Sequence, residues 1–251
     1  MPEGDSIRRA AGRLGALAGS RIEASAPHPR GTTVARAVDG RVLEAVEPRG
    51  KNLLLRFDGG IVVHSHLGMT GRWRVVPSGT PLSGRPWLVL RGGGLEARLW
   101  NGSLLRVANG ADLRLGPDLL ADATDPADVS ARVRASSDPT LLLGEALLDQ
   151  RLVAGIGNMW LAELLWHARL SPWARVGDVP EASLTEALTW ARDAMRRSVA
   201  GVRPDRAVYR RSGRPCRRCG TPITSRGLGD RNRTAYWCPQ CQAPGPTGTP
   251  A

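Results

Sequence analysis

Two kinds of apolar spacing run along this chain, and the change from one to the other divides it. From Ser6 to Ala18, Ile7, Ala10, Ala11, Leu14 and Leu17 recur at three- and four-residue intervals with arginines between them. That spacing gathers them on one face and predicts a helix starting just after the N-terminus. Short runs rich in Val, Leu and Trp follow at 41–50, 51–57, 61–69, 71–76, 87–91 and 95–100, separated by Gly, Pro and Asp clusters. Their length and composition predict strands in an all-β region. "FDGGIVV" is the sharpest hairpin signal, because Asp58, Gly59 and Gly60 accept the positive φ of a tight turn. It predicts Lys51 and the segment "HSHLGM" on neighbouring strands.

Beyond "LGPDLLADATDPADV" the helical spacing returns, at 126–136, 140–152, 158–170 and 181–202, so a boundary is expected near residue 120. The segment from Val208 to Gln242 is short, basic and cysteine-bearing, and "APGPTGTPA" after it has nothing to bury. No internal repeat is present.

At 251 residues the chain is long enough for two domains with real cores. Its formal net charge of +12 and pI near 11.2 imply a polyanionic partner, nucleic acid or an acidic membrane. A GC-rich genome produces the same arginine bias through its codons, so the charge alone does not establish phosphate recognition. No run approaches the roughly 18 apolar residues of a membrane span, and "MPEGDSIRR" has acids where a signal peptide carries bases. No membrane association and a cytoplasmic, nucleoid-associated location are expected.

All four cysteines fall in one late cluster, Cys216-x2-Cys219-x18-Cys238-x2-Cys241. Each close pair forms a knuckle that aims two sulfurs at one metal, and the spacing predicts a four-thiolate zinc site. Four thiolates leave no coordination position for water, so the zinc is expected to be structural. Between the pairs, Arg226, Arg231 and Arg233 crowd a loop too small for a core and are expected to face a phosphate; a solvated charged loop is the plain alternative. Tyr236 and Trp237 are expected to pack against the ribbon.

"LLDQRLVAGIGNMWLAELLW" predicts a helix, a glycine-containing turn and a second helix with Asn158 as its N-cap. Backbone N–H groups from Gly155 to Asn158, facing outward there, would suit a DNA phosphate. A routine helical turn explains the same residues. At the other end of the chain, removal of Met1 before the small Pro2 would leave a secondary amine. Chain-terminal amines have pKa near 7.7 to 8.0, against about 10.4 for lysine, so a useful fraction is unprotonated at neutral pH. Such an amine can attack C1′ of a deoxyribose and form an iminium, with Glu3 handling protons. Taken alone, "MPEGD" is also an ordinary polar start.

Together, "MPEGD", "RGKNLLL", "SHLGMTGRW", "LGPDLL", "LLDQRLVAGIGN" and "GRPCRRCGTPI...RTAYWCPQCQ" resemble the formamidopyrimidine-DNA glycosylase and endonuclease VIII family, in the same order and over nearly the whole chain. Gly4 and Asp5 after Pro2 and Glu3, with "LGPDLL" and "YWCPQCQ", resemble its endonuclease VIII branch, particularly the actinobacterial members.

The resemblance implies an α+β multidomain fold: an N-terminal β-sandwich with a flanking helix over 1–118, a helix-two-turn-helix domain over 119–207, a zinc finger over 208–242 and a disordered tail over 243–251. It implies a bifunctional glycosylase and abasic-site lyase of base excision repair that works on damaged DNA, expected as a monomer. By motif, Pro2 is the Schiff-base nucleophile, Glu3 a proton donor, Lys51 the proton donor for β-elimination and Arg233 the arginine of δ-elimination and phosphate contact. Asn158 and Arg114 match DNA-binding positions, and Met69 stands where a wedge side chain fills the gap left by an extruded base. Strand core is the alternative for Met69.

Lys51 is the only lysine in a chain with a Lys+Arg total of 35. An ammonium can exchange protons near neutrality where a guanidinium cannot, which gives a reason for its retention; an ordinary phosphate contact is the alternative. The sequence also departs from the family. In place of a "DPRRFG"-like segment runs "NGSLLRVANGADLR", and Gly68 stands where endonuclease VIII has a DNA-contacting glutamine. Oxidised pyrimidines are therefore the expected substrates; preference for 8-oxoguanine, or a non-catalytic zinc-dependent nucleic-acid binder, are the alternatives. His64 and His66 share a strand face, where no second metal is expected.

Overall fold

The structure, a computed structural model, describes residues 2–108, 113–135, 138, 140–229 and 232–243. Arg231, Met1 and all of the tail except Ala243 lie outside the described residues. The chain forms two compact units, Met1–Leu113 and Arg114–Ala251. No helix among the described residues is long and apolar enough to cross a membrane.

In the first unit, α1 (Gly4–Leu14) buries Ile7, Ala11 and Leu14, and its last turn tightens into a 3-10 segment, Gly15–Leu17, that buries Leu17. The expected apolar face is thus present, with the α-helix itself ending earlier than the spacing predicts. The strands are β1 (Glu23–Ser25), β2 (Leu43–Arg49), β3 (Asn52–Phe57), β4 (Ile61–His66), β5 (Arg72–Pro77), β6 (Leu88–Gly92), β7 (Leu95–Trp100) and β8 (Leu104–Ala108), with a short helix α2 (Thr32–Val38) between β1 and β2. They form two four-stranded sheets, β2-β3-β4-β8 and β1-β6-β7-β5, antiparallel throughout. Leu53, Leu55, Phe57 and Val63 of the first sheet share one core with Leu88, Leu90 and Leu99 of the second and with Ile7 and Leu14 of α1.

Three elements of this unit escape the sequence pattern. β1 has three residues and β8 five, too few to show alternation, and each is defined by its partner, β6 or β4. The seven residues of α2, "TTVARAV", are rich in β-branched side chains that disfavour helix; burial of Val34, Ala35 and Val38 overrides that preference. At the predicted hairpin, Gly59 and Gly60 take φ of 69° and 75°. Asp58 does not take a positive φ, contrary to expectation; its carboxylate instead accepts the Val42 N–H at 3.2 Å.

The second unit contains α3 (Pro126–Arg134), α4 (Leu143–Leu148), α5 (Asn158–His167), α6 (Glu181–Val199) and a two-stranded ribbon, β9 (Thr224–Leu228) with β10 (Arg233–Trp237). Asp125 caps α3, accepting the Ala127 N–H at 2.8 Å. Helix α5 is apolar nearly all round because it is the central helix, buried from Met159 to Leu165. Cys216, Ile223, Leu228, Ala235 and Cys238 join the same core as Trp160, Leu164 and Leu188. The finger therefore shares the helices' core. Tyr236 and Trp237 serve that join: Trp237 meets Trp173 edge-on at 4.2 Å, and Tyr236 meets Tyr209 at 5.4 Å.

Candidate functional site

Within the first unit, Glu3 occupies the N-cap position of α1 in extended backbone, and its carbonyl accepts the Ile7 N–H at 3.0 Å. Its side chain is 1% exposed, and Pro2 before it is half-buried. A buried carboxyl at a chain end is unusual, because desolvation penalises its charge. Next to it Asp5, also buried, pairs with Arg9 at 3.2 Å one helical turn on. Helix α1 packs on β2 and β3, so Pro2 and Glu3 head a helix seated on the sheet that carries Lys51.

Lys51 is not within a strand, as the pattern implies, but in the two-residue turn between β2 and β3. Arg49 and Asn52 close the ladder, and Gly50 takes φ of +57°. A glycine at the first central position is what a two-residue II′ hairpin requires. Across the sheet, Asn52 pairs with His66 of β4. Burial, and then the nearby Lys51 charge, hold the His66 imidazole below its ordinary pKa.

His66 organises the segment after β4. Its Nδ1 accepts the Gly68 N–H at 3.1 Å and lies 2.8 Å from Ser103 Oγ, which is also 3.1 Å from the His66 carbonyl oxygen. Gly68 takes φ of +60°, and a Cβ there would stand 2.8 Å from the Cβ of Ser103. Met69 follows on this constrained turn and is 72% exposed, so strand core does not account for it. His64, two residues before His66, is buried. Its Nε2 lies 2.8 Å from the Asn52 carbonyl oxygen Oδ1.

Within the second unit, the turn before α5 differs from expectation. Gly157, not Asn158, holds the N-cap position, with its carbonyl accepting the Leu161 N–H at 2.8 Å. Asn158 is the first helical residue, and its side-chain amide donates to the Thr234 carbonyl at 2.7 Å. The Gly155 N–H does not face outward unpaired either, because Gln150 Oε1 accepts it at 3.0 Å. The Gln150 amide also donates to the Ile156 carbonyl at 3.0 Å. One side chain thus closes the turn from both sides.

Arg233 opens β10 opposite Leu228 and is exposed, as is Arg226 opposite Ala235. Arg114 is exposed at the start of the second unit. The four cysteine sulfurs lie within 4.8 Å of one another, with Cys219–Cys238 at 3.5 Å and Cys216–Cys241 at 3.9 Å. Tetrahedral zinc with bonds of about 2.3 Å separates its sulfurs by roughly 3.8 Å, so the donor set and spacing fit one structural zinc. The Trp166 indole and the Arg218 amide both donate to Cys216 Sγ at 3.4 Å, which favours a thiolate.

Two buried polar residues have no signature in the sequence. Glu163 of α5 is 2% exposed and accepts the backbone N–H groups of Ala207, Val208 and Tyr209 at 2.8 to 3.1 Å. Gln242 accepts the Cys238 N–H and donates to the Leu170 carbonyl, both at 2.9 Å. Glu163, and Gln242 through its bond to Leu170, serve backbone groups distant in sequence, so periodicity carries no trace of them.

Comparison with known proteins aligns with both units. Residues 1–106 match the formamidopyrimidine-DNA glycosylase N-terminal domain, 115–204 its H2TH domain, and 213–244 the zinc finger found in FPG and IleRS. The chain is 42% identical to "Probable endonuclease 8 2" of Streptomyces coelicolor, over 100% of this chain and 96% of that protein. It is 36% identical to "DNA-(apurinic or apyrimidinic site) lyase Nei2" of Mycolicibacterium smegmatis, over 96% and 99%. Among solved structures, Lactococcus lactis Fpg in complex with abasic-site DNA matches with a TM-score of 0.81 at 21% identity, over 96% of this chain and 100% of that one.

Proposed function

Because the chain belongs to the formamidopyrimidine-DNA glycosylase and endonuclease 8 family, we propose that it is a DNA glycosylase and abasic-site lyase of base excision repair, acting on oxidised pyrimidines through Pro2 and cutting by β,δ-elimination. The observation that carries this is the N-terminus: Pro2 and the buried Glu3 are held at the head of a packed helix, on the same unit as the Lys51 turn. The absence of a "DPRRFG"-like segment supports the pyrimidine preference.

The chemistry runs as follows. With Met1 removed, the Pro2 nitrogen attacks C1′, and the glycosidic electron pair leaves with the base, which takes up a proton. The sugar ring opens as the C1′–O4′ bond breaks; Glu3 protonates O4′, and loss of the amine proton leaves an iminium. Loss of a C2′ proton then breaks C3′–O3′, and the phosphate departs with the electron pair. Lys51 is the group that moves protons in this step. Loss of a C4′ proton breaks C5′–O5′ in the second elimination, and water releases the sugar fragment and restores the amine.

Arg233 contributes charge and hydrogen bonds to the flanking phosphates rather than a proton. Asn158 and Arg114 add contacts to the DNA backbone, and Met69 enters the stack where the damaged nucleotide leaves it. The zinc holds the knuckles of the ribbon that carries Arg233.

Borohydride reduction in the presence of abasic-site DNA tests this directly. The native chain is expected to be trapped covalently on Pro2, and a chain extended at its N-terminus by a tag is not. A native chain that binds such DNA and never traps would remove the lyase claim and leave a zinc-dependent DNA binder.

A further inference from the structure

The turn that carries Lys51 is tied to the neighbouring strand by side chains. The β3–β4 ladder ends at the pair Asn52–His66, and Gly50 and Lys51 lie beyond it. Asn52 Nδ2 donates to the Arg49 carbonyl at 3.2 Å, which fixes the amide's orientation, because a carbonyl only accepts. Asn52 Oδ1 therefore points the other way, toward His64 Nε2 at 2.8 Å, and that ring nitrogen must be the one carrying a proton. His64 is diagonal to Asn52 across the two strands, within reach of a long side chain.

We propose that His64 and Asn52 are positioning residues for Lys51: the His64–Asn52–Arg49 chain of hydrogen bonds fixes the β2–β3 turn and so the place from which the ammonium acts. The proposal rests on Lys51 being the proton-moving group of the elimination step.

The surroundings of His64 keep it in this role. Its Nδ1 is buried and has no partner. Protonation there would place an N–H against no acceptor, in register with Arg106 of β8 and two residues from His66. Burial first, then the Arg106 and His66 charges, hold its pKa below the ordinary value. Neutral His64 with its proton on Nε2 is thus a fixed donor to Asn52. A leucine would fill the same buried position with less desolvation cost, so packing alone gives no reason for an imidazole here.

The test separates this hydrogen bond from packing and from the function itself. In His64→Gln the amide nitrogen stands near the position of Nε2 and can still donate to Asn52; in His64→Asn it falls short, and His64→Leu has no donor. On preformed abasic-site duplex, His64→Leu and His64→Asn are expected to slow single-turnover strand scission about tenfold, with borohydride trapping, which reports the earlier Pro2 step, at the wild-type rate. His64→Gln is expected to restore scission to within about twofold, roughly the scatter left by replacing a donor at one site. Melting temperatures identify any variant that has lost its fold, in which case the comparison of the Gln and Asn variants decides. Wild-type scission in His64→Leu, a Gln variant as slow as the Asn variant, or a parallel loss of trapping and scission would each overturn the proposal. A wild-type chain that neither traps nor cuts would instead sink the proposed function.

Discussion

Asn158 and Thr234 stand 76 positions apart in the chain and are joined by a 2.7 Å hydrogen bond from the asparagine amide to the threonine carbonyl. The bond ties the first turn of α5 to the residue after Arg233 in β10. An amide has two N–H donors, so this bond leaves one for an external acceptor.

Asn158→Ala and Arg233→Ala should therefore weaken DNA binding in different ways. Each is expected to cost about tenfold in affinity, the scale of a hydrogen bond to a charged group. Arg233→Ala removes a phosphate-paired charge and should lower the slope of log K against log salt by about 0.9. Asn158→Ala should leave that slope unchanged. Titrations of an abasic-analogue duplex at several salt concentrations measure both, and equal slopes for Arg233→Ala and wild type would refute the arginine's role.

Glu163 should govern stability with a pH dependence of stated sign. Removing its carboxylate by Glu163→Ala strands three buried backbone donors and is expected to cost about 3 kcal/mol, read from denaturant midpoints. Burial is the largest influence on this carboxyl and raises its pKa above the ordinary 4.5, against the three N–H groups that lower it. The folded state thus holds the proton more tightly than the unfolded one. Its contribution is complete below pH of about 4.5 and declines as pH rises through the raised folded value. Glu163→Gln does not titrate, so the stability difference between wild type and this variant should shrink as pH rises above about 4.5. A difference that grows would mean the N–H groups outweigh burial.

Met69 should matter to the reaction and not to the fold. With most of its surface exposed, Met69→Ala is expected to change stability by less than about 0.5 kcal/mol. Excision from duplex should fall about tenfold, because an emptied stack offers the extruded base a way back. Excision of the same lesion from a single strand, which has no stack to hold open, should change little. Equal losses on both substrates would exclude the wedge.

Much of this protein is set by local pattern. Apolar spacing marks α1, α3, α4, α5, α6 and six of the strands, because helix and strand periods need no partner to be visible. Two close cysteine pairs specify the zinc site, since each knuckle is a local geometry. Gly59 and Gly60 are legible from the turn they make. What tertiary structure alone decided are the relations between distant residues: β1 and β8 exist because β6 and β4 offer them a ladder, and α2 because its three apolar residues are buried. Asn158 turns from cap to tether because Thr234 lies within reach of it. Glu163 and the His64–Asn52 pair satisfy backbone or amide groups that only folding brings to them. A buried polar group must find a partner wherever the fold puts one, and no period along the chain records where that is.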